Sequence, residues 1–136
     1  MSYQATSAIN QVIEAVISMA NATQPFAQVT RGALPTGDGL TCEIGPSTPS
    51  AVHYNKNTVI PLDLTFNGKH GNLQTLSDTM NNIHAALTRA WDYPSTDAWQ
   101  IVDIQNTTLP QTIGREQNNE WLMASSISVL FYWKGV

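Results

Sequence analysis

The sequence predicts an α+β fold in which two helices pack on one face of a mainly antiparallel or mixed sheet. Two segments repeat apolar residues at the three- and four-residue steps of a helix, whereas several shorter segments alternate apolar and polar residues. Runs of strands are interrupted by one helix, which is typical of the α+β class. The predicted order is α-β-β-β-α-β-β. Because the chain shows no repeat and no linker, residues 1–136 are expected to form a single domain.

The first helix is predicted over residues 7–22, where Ile9, Val12 and Val16 fall on one side. Gln24-Pro25 ends it, since proline disfavours a helical residue before it. "FAQVTRG" and "LTCEIG" follow as short strands, expected to pair as a loose hairpin across the turn-rich "ALPTGDG". Residues 46–57, with two prolines and small polar residues, predict a loop or a poorly ordered arm.

Clean alternation from Thr58 to Phe66 predicts a half-buried strand, in which Pro61 suggests an edge position or a bulge. A second helix then carries the strongest helical stripe in the chain and is expected to end before Tyr93-Pro94. The stripe consists of Leu73, Leu76, Met80, Ile83, Leu87 and Trp91. "AWQIVDIQ" follows as a strand, residues 107–119 as a loop, and "EWLMASSISVLFYW" as the last strand.

The last strand has apolar residues on both of its faces. One face holds Trp121, Met123, Ile127, Val129, Phe131 and Trp133. The other face holds Leu122, Leu130 and Tyr132. If both helices pack on one side, these three residues form an exposed patch of the kind that marks subunit contacts. The alternative is that one helix crosses to the other side and covers them.

Composition narrows the class of function. Charged residues make up only 12 % of the chain, and a weakly charged polar surface suits a protein that packs against other subunits. A neutral-surfaced monomer is the alternative interpretation. The 6 basic residues are scattered, which argues against sequence-specific nucleic-acid binding. The chain lacks the pattern of a signal peptide and any run of membrane-spanning length, so a soluble protein made in a cytoplasm is expected.

The "NGKHG" segment has the strand–loop–helix layout of a phosphate site. A P-loop needs a longer glycine spacing and a hydroxyl residue where His70 stands. A simpler interpretation is that Asn67-Gly68 turns the chain and Asn72 caps the following helix. A small anion- or nucleotide-binding module or enzyme that uses Lys69 and His70 remains the alternative from another class.

No catalytic, cofactor-binding or metal site is predicted from the remaining residues. The three histidines, His53, His70 and His84, lie in three different elements, and His84 is expected to be partly buried with its hydrogen bonds satisfied. Single Cys42 cannot form an internal disulfide or a cysteine-rich metal site. Cys42, Ser125 and Ser126 are candidate nucleophiles, but none stands in a nucleophile motif, and the sequence gives no ground for choosing among them.

Two segments together resemble a known family. "IPLDLTFNGKHGNLQTLSDTMNNIHAAL" followed by "LPQTIGREQNNEWLMASSISVLFYW" is similar to the minor capsid and tail-terminator proteins of long-tailed bacteriophages. In that family a strand ending in Gly-Lys runs into a helix, and a "P…IG-E…W…SI-V" signature opens the closing strand. The signature is matched here by Pro110, Ile113, Gly114, Glu116, Trp121, Ser126, Ile127 and Val129.

The resemblance implies a structural virion protein with no reaction and no cofactor. Such a domain forms a ring, usually hexameric, at the head-proximal end of the tail, where it ends tube polymerisation and docks to the head connector or stopper. The implied partners are further copies of the chain, the tail tube protein and the connector, with no membrane and with DNA passing through the ring lumen. The implied location is the tail or neck of a virion assembled in the host cytoplasm. A head-completion or neck adaptor protein is the nearest alternative.

On this hypothesis the sheet lines the lumen or the intersubunit seams, and residues 30–39, 46–57 and 107–119 project to partners. Arg115 and Glu116 are candidates for an ion pair between subunits, although an exposed pair contributes little to stability. The predicted interface residues are Arg31, Lys69, Arg115, Glu116, Leu122, Leu130 and Tyr132.

Overall fold

A computed structural model describes residues 2–34, 36–45, 52–54, 57–90, 92–116 and 119–133. Its elements are α1 Ser2–Asn21, β1 Val29–Thr30, β2 Gly39–Ile44, β3 Val52–Tyr54, β4 Asn57–His70, α2 Leu73–Thr88, β5 Trp99–Arg115 and β6 Trp121–Trp133. Within these residues the six strands form one sheet in the order β1-β2-β4-β6-β5, with β3 paired to β4. β1 and β2 are parallel and the other pairs are antiparallel, which confirms the predicted α+β class and mixed sheet.

Both helices pack on the same face of the sheet, here called the core face. The predicted stripe of α2 is buried at Leu76, Met80, Ile83 and Leu87. The helices meet the sheet in one hydrophobic cluster, because alternate residues of β4 and β6 point toward them. The buried residues of these two strands are Leu62, Leu64, Phe66, Met123, Ile127, Val129 and Phe131.

The expected hairpin between the first two strands is wrong. Val29 lies beside Leu40 in a parallel pair, because residues 31–38 return the chain to the end of the sheet at which β1 begins. Positive φ angles of 100° at Gly32 and 89° at Gly37 make this return possible. Asn21, the last residue of α1, fixes β1 from its other side: the Val29 N–H donates to Asn21 Oδ1 at 2.7 Å, and Asn21 Nδ2 donates to the Val29 carbonyl at 3.3 Å.

Part of the predicted arm at 46–57 is strand. β3 pairs with the beginning of β4, with Val52 opposite Val59, whereas residues 46–51 and 55–56 lie outside the described chain. Of the two alternatives for Pro61, an edge position or a bulge, the bulge is absent from the described β4–β6 pairing, which continues there without a register shift. Pro61 lies between the part of β4 that pairs with β3 and the part that pairs with β2, so its missing N–H breaks neither of those pairings.

Asn67-Gly68 is not a turn, because β4 continues to His70 with Gly68 opposite Met123. A Cβ at Gly68 would lie 2.7 Å from Leu76 Cδ1 and 2.9 Å from Met80 Sδ, so the glycine lets α2 approach the sheet closely. The chain turns after His70, and Asn72 caps α2 as predicted, with its Oδ1 accepting a hydrogen bond from the Thr75 N–H at 3.1 Å.

The loop predicted at 107–119 is also largely wrong, since β5 extends to Arg115. β5 is an edge strand with four register shifts, and one of them contains Pro110. Edge strands tolerate proline and bulges, because their outer hydrogen-bonding groups face no neighbouring strand. The connection that precedes β5 begins at the end of α2, which is at Thr88. Trp91, predicted to belong to the stripe of α2, lies outside the described residues.

Substituting Gly68 tests the close approach of α2. We expect Gly68→Val to lower the free energy of unfolding by about 1–3 kcal/mol, because the added methyl groups overpack against buried side chains. Gly71→Val is the matched control, since nothing lies within 4 Å of a Cβ at that position. Urea denaturation of both variants measures the difference. Equal midpoints for the two would show that the packing at Gly68 is looser than described.

Candidate functional site

The face of the sheet opposite the helices, here called the outer face, is the candidate functional surface. Paired residues of neighbouring strands share a face, so the pairing of β4 with β6 defines it. All of its residues on these strands are half-buried except Lys69, which is buried. They are Val59, Pro61, Asp63, Thr65, Asn67, Lys69, Leu122, Ala124, Ser126, Ser128, Leu130 and Tyr132.

Apolar residues gather at one end of the outer face. Leu130 lies opposite Pro61 of β4, and Tyr132 lies opposite Val59. We call these four residues the apolar end. Polar pairs such as Asp63 and Ser128 separate them from Leu122, which lies toward the other end of β6. The structure therefore brings two of the three predicted apolar residues together and leaves Leu122 apart.

Lys69 closes the Leu122 end of the outer face. Its ammonium lies 3.6 Å from Glu116 Oε2, and its side chain is only 7 % exposed. Leu122 lies between Lys69 of β4 and Gly114 of β5 in the pairing, so the lysine reaches across β6 to the end of β5. This ion pair links the end of β5 to β4.

Two further predicted residues have partners within the chain. The Arg115 guanidinium lies 4.9 Å from the ring centre of Trp121, a cation–π distance. Arg31 donates to Glu43 at 2.8 Å and to Asn10 of α1 at 3.2 Å. The hydrogen bond from Arg31 holds the pKa of the Glu43 carboxyl below its ordinary value. Arg31 therefore lies beside α1, away from the apolar end.

Both Lys69 and His70 of "NGKHG" face carboxylates. Since the Asn72 N–H donates to His70 Nδ1 at 2.8 Å, the proton of a neutral His70 lies on Nε2, which is 3.4 Å from Asp38 Oδ2. Lys69 faces Glu116 in the same way. Two nearby carboxylates repel an anion, so this geometry is unsuited to phosphate binding, and it disfavours the anion-site interpretation.

A Ser-His-Asn arrangement, which sequence reasoning could not select, lies in the core. His84 Nε2 is 2.7 Å from Ser125 Oγ, and His84 Nδ1 is 2.7 Å from Asn106 Oδ1. Burial lowers the pKa of His84, so the ring is neutral; its Nδ1–H donates to Asn106 and its Nε2 accepts from the Ser125 hydroxyl. These are the hydrogen bonds of a nucleophile and its base.

The burial of His84 and Ser125 argues against catalysis at this network. His84 and Ser125 are each 3 % exposed. The apolar void beside His84, lined by Leu40, Phe66 and Met80 among others, is too small to admit a water molecule. A substrate therefore cannot reach Ser125 Oγ in this conformation, and the network serves to join α2 to β5 and β6. The prediction that His84 is buried with satisfied hydrogen bonds is confirmed.

Cys42, another candidate nucleophile from the sequence, is also unreactive. Cys42 is buried, and burial raises its pKa to about 12, so it stays a thiol rather than a reactive thiolate. In the described part of the chain, no group of three His, Cys, Asp or Glu side chains is placed to hold a metal ion. Neither described helix is long and apolar enough to cross a membrane.

Sequence reasoning missed the exposed apolar residues of β5. Leu109 is 62 % exposed, Ile113 56 % and Val102 45 %. Each lies at one of the register shifts, where it has no partner across on β6. The apolar letters in "NTTLPQTIG" were the available signal, but proline, glycine and polar neighbours made the segment look like a loop.

Comparison with known proteins shows similarity at the level of the fold. No family model matches the sequence, and no curated protein matches it. Among solved structures, a chain of the virion of native gene transfer agent (GTA) particle is similar, with a TM-score of 0.64 and 11 % sequence identity. The match covers 89 % of this chain and 94 % of that chain. What the two chains share is the fold.

The buried His84 predicts a pH dependence of stability. Above about pH 6.5 the residue is neutral in both folded and unfolded chains, so it adds no slope. Below that pH His84 takes up a proton in the unfolded chain more readily than in the folded chain, because burial lowers its pKa in the folded chain. We therefore expect the free energy of unfolding to decrease as the pH is lowered below this value. The contribution of this residue is up to about 1.4 kcal/mol per pH unit.

The measurement is chemical denaturation of the wild type and of His84→Gln at several pH values between 5 and 8. The difference between the two slopes isolates His84, since both proteins keep the other two histidines. Identical slopes would mean that His84 titrates normally in the folded protein.

Proposed function

We propose that this chain is a structural virion protein of a long-tailed, phage-like particle. It forms a ring, hexameric in the simplest case, at the head-proximal end of the tail. Two independent observations support this: the sequence resembles tail-terminator proteins, and the fold is similar to that of a gene transfer agent virion chain over nearly the full length of both. The single observation that favours assembly is the outer face, which has an apolar end and is covered by neither of the two described helices.

The mechanism is geometric. A head-to-tail contact between identical copies closes into a ring when the rotation per copy divides a full turn. One rim of the ring would bind the last layer of the tail tube and stop its growth, and the other would present a docking surface to the head connector. The end of β5, where Glu116 pairs with Lys69, and residues 31–34 and 36–38 are the described positions that we expect to contact these partners.

Deleting the coding sequence from the particle's genome tests the function. A terminator is needed to stop the tail tube, so we expect free heads together with headless tails of irregular length in electron micrographs. Free heads with tails of normal length would instead indicate the neck adaptor alternative. Complete, infectious particles would contradict both.

Leu130 tests the role of the outer face in assembly. We expect Leu130→Asp to stay folded but to run as a 14.9 kDa monomer where the wild type runs as a ring, because a carboxylate at the apolar end disfavours desolvation on contact. Asn82→Asp, which adds the same charge at an exposed position of α2, is the matched control and should keep the ring. Native mass and negative-stain images give the answer. If Leu130→Asp unfolds, the residue belongs to the core rather than to an interface.

A further inference from the structure

We propose that neighbouring copies join through opposite charges: Asp63 and Asp103 on the outer face of one copy bind Arg89 of the next. This inference rests on the proposed ring and specifies its contact. It identifies the occupant of the outer face as a second copy of this chain, approaching with the end of α2.

The outer face is negatively charged. Asp63 lies on β4 opposite Ser128, and Asp103 lies on β5 opposite Leu130, so the two carboxylates stand on either side of β6. Gln105 donates to Asp103 at 2.8 Å, which holds that carboxylate in place without neutralising it.

The other charges of this face are matched within the chain. Lys69 is paired with Glu116, and Glu43, which shares the face through its pairing with Thr65, is paired with Arg31. Among the described residues, the two aspartates are thus the charges of the outer face for which the structure shows no ion pair.

Arg89 has the complementary property. The other described basic residues are engaged: Arg31 with Glu43, Lys69 with Glu116, and Arg115 over Trp121. Arg89 is exposed at the C-terminal end of α2, where its backbone N–H bonds to Ala85, but its side chain has no partner among the described residues. The helix dipole favours a cation at this end. An unpartnered guanidinium there is available for a bidentate contact with carboxylate.

The positions of these charges distinguish a ring from a dimer. Arg89 ends a helix that covers the core face, whereas Asp63 and Asp103 belong to the outer face, so the complementary groups lie on opposite sides of the sheet. A two-fold dimer uses the same patch on both copies, so a dimer through the outer face would bring aspartates toward aspartates and leave Arg89 outside the contact. A head-to-tail contact satisfies both sets in every copy, and such contacts close into rings.

The two kinds of surface have separate roles in this contact. Asp103 lies directly opposite Leu130, so the charges border the apolar end. Burial of Leu130 and Tyr132 supplies affinity, while the charges orient the approach and accelerate it. Assembly should therefore be faster at low than at high ionic strength.

A charge swap tests the contact. One variant is Arg89→Glu, and the other combines Asp63→Arg with Asp103→Arg. Each alone places like charges across every seam, so we expect each to remain monomeric. An equimolar mixture should assemble, because alternating copies then present opposite charges at every seam. Native mass and negative-stain images are the readouts, and Asp97→Arg, which reverses a single exposed carboxylate outside the proposed contact, is the control that should keep the ring.

The outcomes separate this inference from the proposed function. If the wild type forms rings and either charge variant also does so alone, the inference is wrong and the ring stands. If both variants are folded monomers but their mixture does not assemble, the charges do not face each other and the inference is again wrong. A wild type that never self-associates overturns the inference, while the deletion phenotype still tests the virion role. If the variant with Asp63→Arg and Asp103→Arg unfolds, the isosteric variant with Asp63→Asn and Asp103→Asn replaces it. We expect the assembly of that variant to be slower and less dependent on salt than that of the wild type.

Discussion

The close approach of α2 to the sheet is the constraint on which the rest of the structure depends. It requires a residue without a side chain at Gly68, so that Leu76 and Met80 can lie directly over β4. His84 then joins the same helix to two neighbouring strands through Ser125 and Asn106. Apolar packing and a satisfied polar network both hold α2 on this side, and α1 packs beside it. Neither described helix therefore covers the opposite face.

The regular parts of the fold could be predicted because they depend on local periodicity. The stripe of α2 and the alternation of β4 and β6 fix which side chains are buried, and a period of two then assigns Leu130 and Tyr132 to the opposite face. Local periodicity does not determine whether a strand runs parallel or antiparallel to its neighbour. The parallel pairing of β1 depends instead on contacts from Asn21, at the end of a helix. β5 was misjudged because an edge strand tolerates the same residues as a loop.

The candidate surface was accessible to sequence reasoning only in part. Side-chain partners that come from distant elements, such as Glu116 for Lys69 or Ser125 for His84, depend on the register between strands, which the sequence does not state. Buried neighbours also decide chemistry: the Ser-His-Asn arrangement has the distances of a catalytic site, yet it is sealed by Phe66, Met80 and the rest of the core. A hydrogen-bond network that a substrate cannot reach stabilises the fold rather than acting as an active site.

The edges of the sheet at β1 and at β5 are unlike each other, and this limits how copies can associate there. β1 is only two residues long and Asn21 occupies the outer side of Val29, whereas β5 is long but interrupted by four register shifts. Neither edge offers the flat, regular row of backbone groups that templates strand addition. Strand addition at these two edges, which would build an endless cross-β filament, is thus disfavoured. Association there is left to side chains, which can specify a closed assembly of limited size.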